Sequence, residues 1–277
     1  MVVLYHLFVV DSTTIIWKIF FAGYLGVDIF LFLSGYGLSY SFNKNSLYQF
    51  YVRRIYRFVP LIIILGLCVN IVFILQGLEL SYWDMFCNIT TLNYYKLRGK
   101  MFEWYLSSLI LFYAFYPLLY RSIKVKGFLY KILLFAILVI FLYLTTTNID
   151  VYYLCAIGRI PIFLIGIHAY KNVLHLNLTL MNILVVYTLG TIISIPLYCL
   201  HIIPTFAMIY CLAPFVICAI VFFAKKIINC ERINRLVSWL GENSIEIYVS
   251  NVIVCEIVKS DFFSMPRFGQ YFILHII

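Results

Sequence analysis

Three kinds of side chain in this sequence could do chemistry, and each stands where an apolar chain would not put it without cause. His6 lies in the opening apolar segment Met1-Val2-Val3-Leu4-Tyr5-His6-Leu7-Phe8-Val9-Val10. An imidazole with an ordinary pKa of about 6.5 suits proton removal near neutral pH. A histidine packed near the membrane interface is the plainer alternative. Asp28, in Gly26-Val27-Asp28-Ile29-Phe30, is an acid within an apolar run, costly there and so a candidate for function. A carboxylate within reach of His6 would orient the imidazole and stabilise its charged form. Arg53, Arg54 and Arg57 stand just before Pro60. Arg54 and Arg57, three apart, share a face if a helix begins there, and two guanidiniums on one face can grip phosphates bidentately. Topology alone would explain any single one of them.

Further positions carry weaker signals. Ser34-Gly35-Tyr36-Gly37 reads first as helix packing, because glycines let backbones approach closely in membranes. No base neighbours Ser34 in sequence, so substrate positioning by Ser34 and Tyr36 ranks above a covalent serine mechanism. In Glu103-Trp104-Tyr105 an aromatic belt accounts for Trp104, and Glu103 is either an acceptor-site residue or a solvated acid. Arg159 sits inside the apolar run Gly158-Arg159-Ile160-Pro161-Ile162-Phe163. A guanidinium there should face a wet cavity or an acid partner. The eight cysteines form no CxxC pair and lie mostly in apolar runs, so neither a metal site nor a disulfide framework is expected.

Helices must position these groups. Hydrophobic residues make up 65% of the 277 and charged residues 11%, with a mean hydropathy of +1.02. A soluble domain is nearer half apolar and a quarter charged. The long continuous apolar runs predict an all-α polytopic membrane bundle and argue against a barrel. About ten spans are expected, near 1–10, 20–42, 58–76, 102–120, 128–146, 152–170, 178–200, 204–224, 237–258 and from 268, as a single membrane-embedded domain over 1–277. The first and last are shorter than a crossing, so both ends are expected to be cut. With a cytoplasmic N-terminus, twelve loop Lys and Arg fall on the cytoplasmic side and six on the other, as the positive-inside rule requires. Charge this dispersed through short loops argues against nucleic acid as a partner. The segment 77–101, rich in aromatics and charge, reads as interfacial.

The motifs in order resemble the acyltransferase-3 family of integral membrane acyltransferases. They are His6, Gly26-Val27-Asp28 leading to Phe30 and Ser34-Gly35-Tyr36, Arg54-x-x-Arg57 before Pro60, Trp104-Tyr105-Leu106 through Tyr113 to Pro117, Arg159-x-Pro161-x-Phe163-x-x-Gly166, and Leu240-Gly241-x-x-Ser244-x-x-x-Tyr248. The resemblance implies a bundle in the plasma membrane that moves an acyl group, most often acetyl, from cytoplasmic acyl-CoA to a hydroxyl of a cell-envelope carbohydrate. Acyl-CoA would be a co-substrate, with no tightly bound cofactor. By position His6 matches the family's essential histidine, and Arg54 and Arg57 its arginine pair on the CoA side. Asn251 stands where the family often has histidine. The alternative is a non-catalytic flippase or exporter of lipid-linked sugars, or an inactive remnant of the family, since intramembrane charges also mark transport pathways.

Overall fold

The computed structural model describes residues 25–96, 104–122, 151–171, 176–202 and 231–259, with scattered positions between 136 and 144 and residues 213 and 217. Every regular element among them is helical: α1 (Leu25–Lys44), α2 (Leu47–Leu75), α3 (Tyr82–Ile89), a 3-10 turn (Leu92–Lys96), α4 (Trp104–Ser122), α5 (Val151–Ile157), α6 (Ile160–Lys171), α7 (Leu176–Cys199), α8 (Glu231–Glu242) and α9 (Ser244–Lys259). Among the described residues three stretches are long and apolar enough to cross a membrane: Leu25–Lys44, Leu47–Leu75 and Tyr153–Tyr170. Two shorter apolar helices, Thr188–Cys199 and Ser244–Val254, accompany them. The chain divides into two compact units, one of Val27–Phe50 and Trp104–Ala219, the other of Tyr51–Glu103 with Met1–Gly26 and Ile220–Ile277.

In the first unit α1, α4 and α6 run parallel. Ser39 meets Tyr116 and Asn43 meets Tyr120 through 2.9 Å and 2.8 Å hydrogen bonds from the tyrosine hydroxyls, so both sequences advance in step. Along α6, Tyr170 receives the ring edges of Tyr36 and Tyr40. Phe163 packs on Phe112 and Tyr116. Two glycines set the closeness of α1 and α6. A Cβ on Gly35 would overlap the Phe163 carbonyl, and one on Gly166 the Phe32 carbonyl. This is the small-residue contact by which membrane helices approach.

Gly35→Ala and Gly166→Ala should therefore each destabilise the protein by about 1–3 kcal/mol or more, since backbone cannot yield as a side chain can. Gly37, with open space around it, should accept alanine without loss. Thermal inactivation in detergent measures all three. Equal behaviour of Gly35→Ala and Gly37→Ala would contradict this packing.

α2, which lies in the second unit from Tyr51 onward, starts at Leu47, eleven residues before the apolar run expected at 58–76. Ser46 is the reason: its Oγ accepts from the Gln49 N–H at 3.3 Å, and Gln49 Oε1 accepts from the Ser46 N–H at 3.4 Å, a reciprocal cap. Arg53, Arg54 and Arg57 are thus helical, and Pro60 lies inside α2 instead of starting it. The interfacial reading of 77–101 gains a second capped helix, α3, whose Ser81 and Asp84 form a capping box. Tyr82 and Trp83 on it are well exposed. Asn88 donates to Asn70 Oδ1 at 2.6 Å, and Asn70 donates to the Met85 carbonyl at 3.1 Å. Gly66 permits this seat, because a Cβ there would overlap the Ile89 backbone. The run expected as one span at 237–258 is two helices, interrupted at Asn243.

Candidate functional site

Two sites emerge, one in each unit. The first is built where α5 gives way to α6. Pro161 has no N–H to offer the Ile157 carbonyl, which weakens a continuous helix at this point. Gly158 and Arg159 form the turn, and Pro161 begins α6 near its first turn, where proline is tolerated. Arg159 repairs part of the break itself: its Nη1 donates to the Cys155 carbonyl at 3.1 Å, one of the carbonyls a helix end leaves unsatisfied.

The same guanidinium faces Asp28 on α1, with Nε 3.2 Å from Oδ1. Its Cζ lies 4.7 Å over the Trp104 ring centroid. Arg159 is 0% and Asp28 1% exposed. Taking such charges out of water costs several kcal/mol each, offset only by good mutual geometry. A third group, the tryptophan face, adds cation–π attraction that grows when water is excluded. The acid partner that Arg159 requires is Asp28. Oδ2 of Asp28 accepts no hydrogen bond from another described residue, leaving lone pairs buried beside the pair.

Sequence reasoning placed both charges but joined Asp28 to His6 and left Arg159 without a named partner. His6 and Glu103 lie outside the described residues. The signal for the pair was present: two opposite charges, each alone in its apolar run, at matching depth in parallel spans. Other members of the positioning set do not gather here. Tyr36 is eight residues along α1, about 12 Å from Asp28 at the helical rise, in edge contact with Tyr170. Ser34 receives the Tyr113 hydroxyl at 3.5 Å, which favours its packing role. Of the tyrosines of α4 that reach Ser34, Ser39 and Asn43, the sequence reading named Tyr113 and missed Tyr116 and Tyr120; the spacing at 113, 116 and 120 marks one helical face.

The second site carries the arginines. Arg53 and Arg57 are exposed on α2 and Arg54 is partly covered. Arg57 Nη2 donates to the Glu242 carbonyl at 2.9 Å, at the C-terminal end of α8, where cations complement the helix dipole. One of its five donors is used there. A groove of about 460 Å³ follows α8 and α9, lined by Trp239, Asn243, Glu246, Ile247, Ser250 and Asn251, with Val254 beyond.

Compared with known proteins, residues 1–276 match the acyltransferase-3 family model, described as an acyltransferase domain. No curated protein and no solved structure matches the chain.

Proposed function

Because the chain belongs to the acyltransferase-3 family, we propose that it transfers an acyl group, acetyl in the first instance, from acyl-CoA to a hydroxyl of a cell-envelope carbohydrate. The observation that carries this reading is the family match across the whole chain together with charged groups held inside an apolar bundle. The enzyme resides in the plasma membrane with its N-terminus cytoplasmic and about ten crossings. His6 takes the proton of the acceptor hydroxyl as that oxygen attacks the thioester carbonyl. The C–S bond then breaks, and the CoA thiolate leaves with the proton that His6 returns. Asp28, held by Arg159 through one carboxylate oxygen, uses the other to orient the imidazole. Such a base contributes about 10²–10⁴ in rate.

Arg53, Arg54 and Arg57 serve the donor side. Arg57 keeps donors beyond the one given to Glu242, and Arg53 stands one helical turn away on the same face. Charge-assisted hydrogen bonds to the CoA phosphates follow.

The test measures CoA release by purified protein in nanodiscs at varied acetyl-CoA. Arg53→Ala and Arg57→Ala should raise KM for acetyl-CoA about tenfold each, the loss expected for one charge-assisted hydrogen bond, with kcat little changed. Unchanged KM in both variants would remove the arginines from the donor site. Movement of a lipid-linked sugar without any acyl-CoA dependence would favour an exporter instead.

A further inference from the structure

The structure holds a helix that neither unit's packing nor acyl transfer explains. α8 has twelve residues, about 18 Å of helix, against a hydrocarbon core of about 30 Å. It is too short to cross, and Glu231, Arg235 and Glu242 charge it too heavily for the bilayer centre. Yet it is not a polar surface helix either. At helical spacing Leu236, Val237 and Leu240 fall within one arc of about 100°, and Glu231, Arg235, Ser238 and Glu242 fall on the opposite side. All three apolar residues are exposed, Leu236 to 58% and Val237 to 55%. Trp239, 57% exposed, lies at the boundary between the two faces.

The helix is a separate element and not a frayed start to α9. Its last carbonyls are taken by side chains: Asn243 Nδ2 donates to Trp239 at 2.8 Å, Ser244 Oγ to Gly241 at 2.9 Å and Arg57 to Glu242 at 2.9 Å. Directly beyond Asn243 the apolar stretch Ser244–Val254 begins. Whatever covers the bare arc must therefore be found next to an apolar helix. The sequence before and within α8 adds four cations, Lys225, Lys226, Arg232 and Arg235, which suit an anionic leaflet.

We propose that α8 lies in the plane of the membrane–water interface, its Leu236–Val237–Leu240 face sunk into the acyl chains of an anionic leaflet and Arg235 among the headgroups. An amphipathic helix with a tryptophan at its boundary is suited to that depth. The Arg57 bond to Glu242 then holds that arginine at headgroup level, where a soluble anion can meet it. The inference does not depend on the acyl-transfer reading.

Trp239 supplies the probe. The full-length protein and its Trp239→Phe variant are placed in nanodiscs of anionic lipid brominated either near the headgroup end or near the methyl end of the chains. The difference between the two proteins isolates the Trp239 emission. Headgroup-end bromines should quench that difference signal several-fold more than methyl-end bromines. Leu240→Trp in the Trp239→Phe background, at the centre of the apolar arc, should be quenched more strongly still. No quenching at either position would mean that water, a second copy or another protein covers the arc, and would overturn the proposal. Stronger quenching by the methyl-end bromines would place α8 in the bilayer centre and overturn it equally.

Discussion

Arg159→Met is expected to destabilise the protein by about 3–5 kcal/mol, the cost of leaving a buried charge without its partner. The substitution keeps side-chain volume but abandons Asp28, which is 1% exposed and has Arg159 Nε 3.2 Å from its Oδ1. It also leaves the Cys155 carbonyl at the end of α5 without its donor and removes the cation from the Trp104 face. Asp28→Leu should cost a similar amount, for the mirrored reason. The double variant should regain most of the loss, because a buried ion pair and an apolar pair of similar volume differ little in stability. Thermal inactivation of the four proteins gives the cycle. Single variants no worse than Gly37→Ala would show that the pair is not held as described. The double variant also separates structure from chemistry: recovered stability without recovered transfer is the result expected if Asp28 works on His6.

His6→Ala should lower acyl transfer by about 10²–10⁴ while leaving stability unchanged, the usual range for removal of a positioned general base. Asp28 enters through its second oxygen, so Asp28→Asn should reduce transfer with less effect than His6→Ala. The amide still offers an acceptor to the imidazole but no charge to stabilise it. The two together distinguish a base from a structural histidine. A His6→Ala protein that is stable and fully active would exclude the base, and one that is unstable would return His6 to packing. The ordering of the two variants, and not their absolute rates, is the informative quantity.

The helical class was readable because apolar runs near 20 residues leave few alternatives, and the family was readable from motif order. The need of Arg159 for an acid was also readable from its setting alone. Which acid was not, because a span fixes depth while the turn a side chain occupies depends on neighbours that the sequence does not name. Asp28 was joined to His6 from their place in adjacent antiparallel spans, and the structure adds Arg159, at matching depth on a parallel helix, as its ion-pair partner. The start of α2 was missed for a different reason. Apolar content rises only at Phe58, and the polar turns carrying Arg53 and Arg54 hid the helix, although Ser46-x-x-Gln49 is a capping signature. The break at Asn243 carried a warning that the continuous apolar content masked: Gly241 and Asn243 favour helix ends, and Asn243-x-x-Glu246 has the spacing of a capping box. The three side chains that close the carbonyls of α8 confirm its end there. The glycines at 35 and 166 were readable as packing residues in kind, but their pairing across α1 and α6 needs the register of two helices.

The most direct measurement follows labelled acetyl from acetyl-CoA in proteoliposomes of the purified full-length chain, with a cell-envelope polysaccharide as acceptor and release of the CoA thiol recorded in parallel. The account predicts acetyl appearing on the polysaccharide as an alkali-labile ester, one CoA released per acetyl transferred, and both signals lost in His6→Ala. Wild-type protein that binds into the membrane and stays folded, yet releases no CoA and esterifies no acceptor, would contradict it.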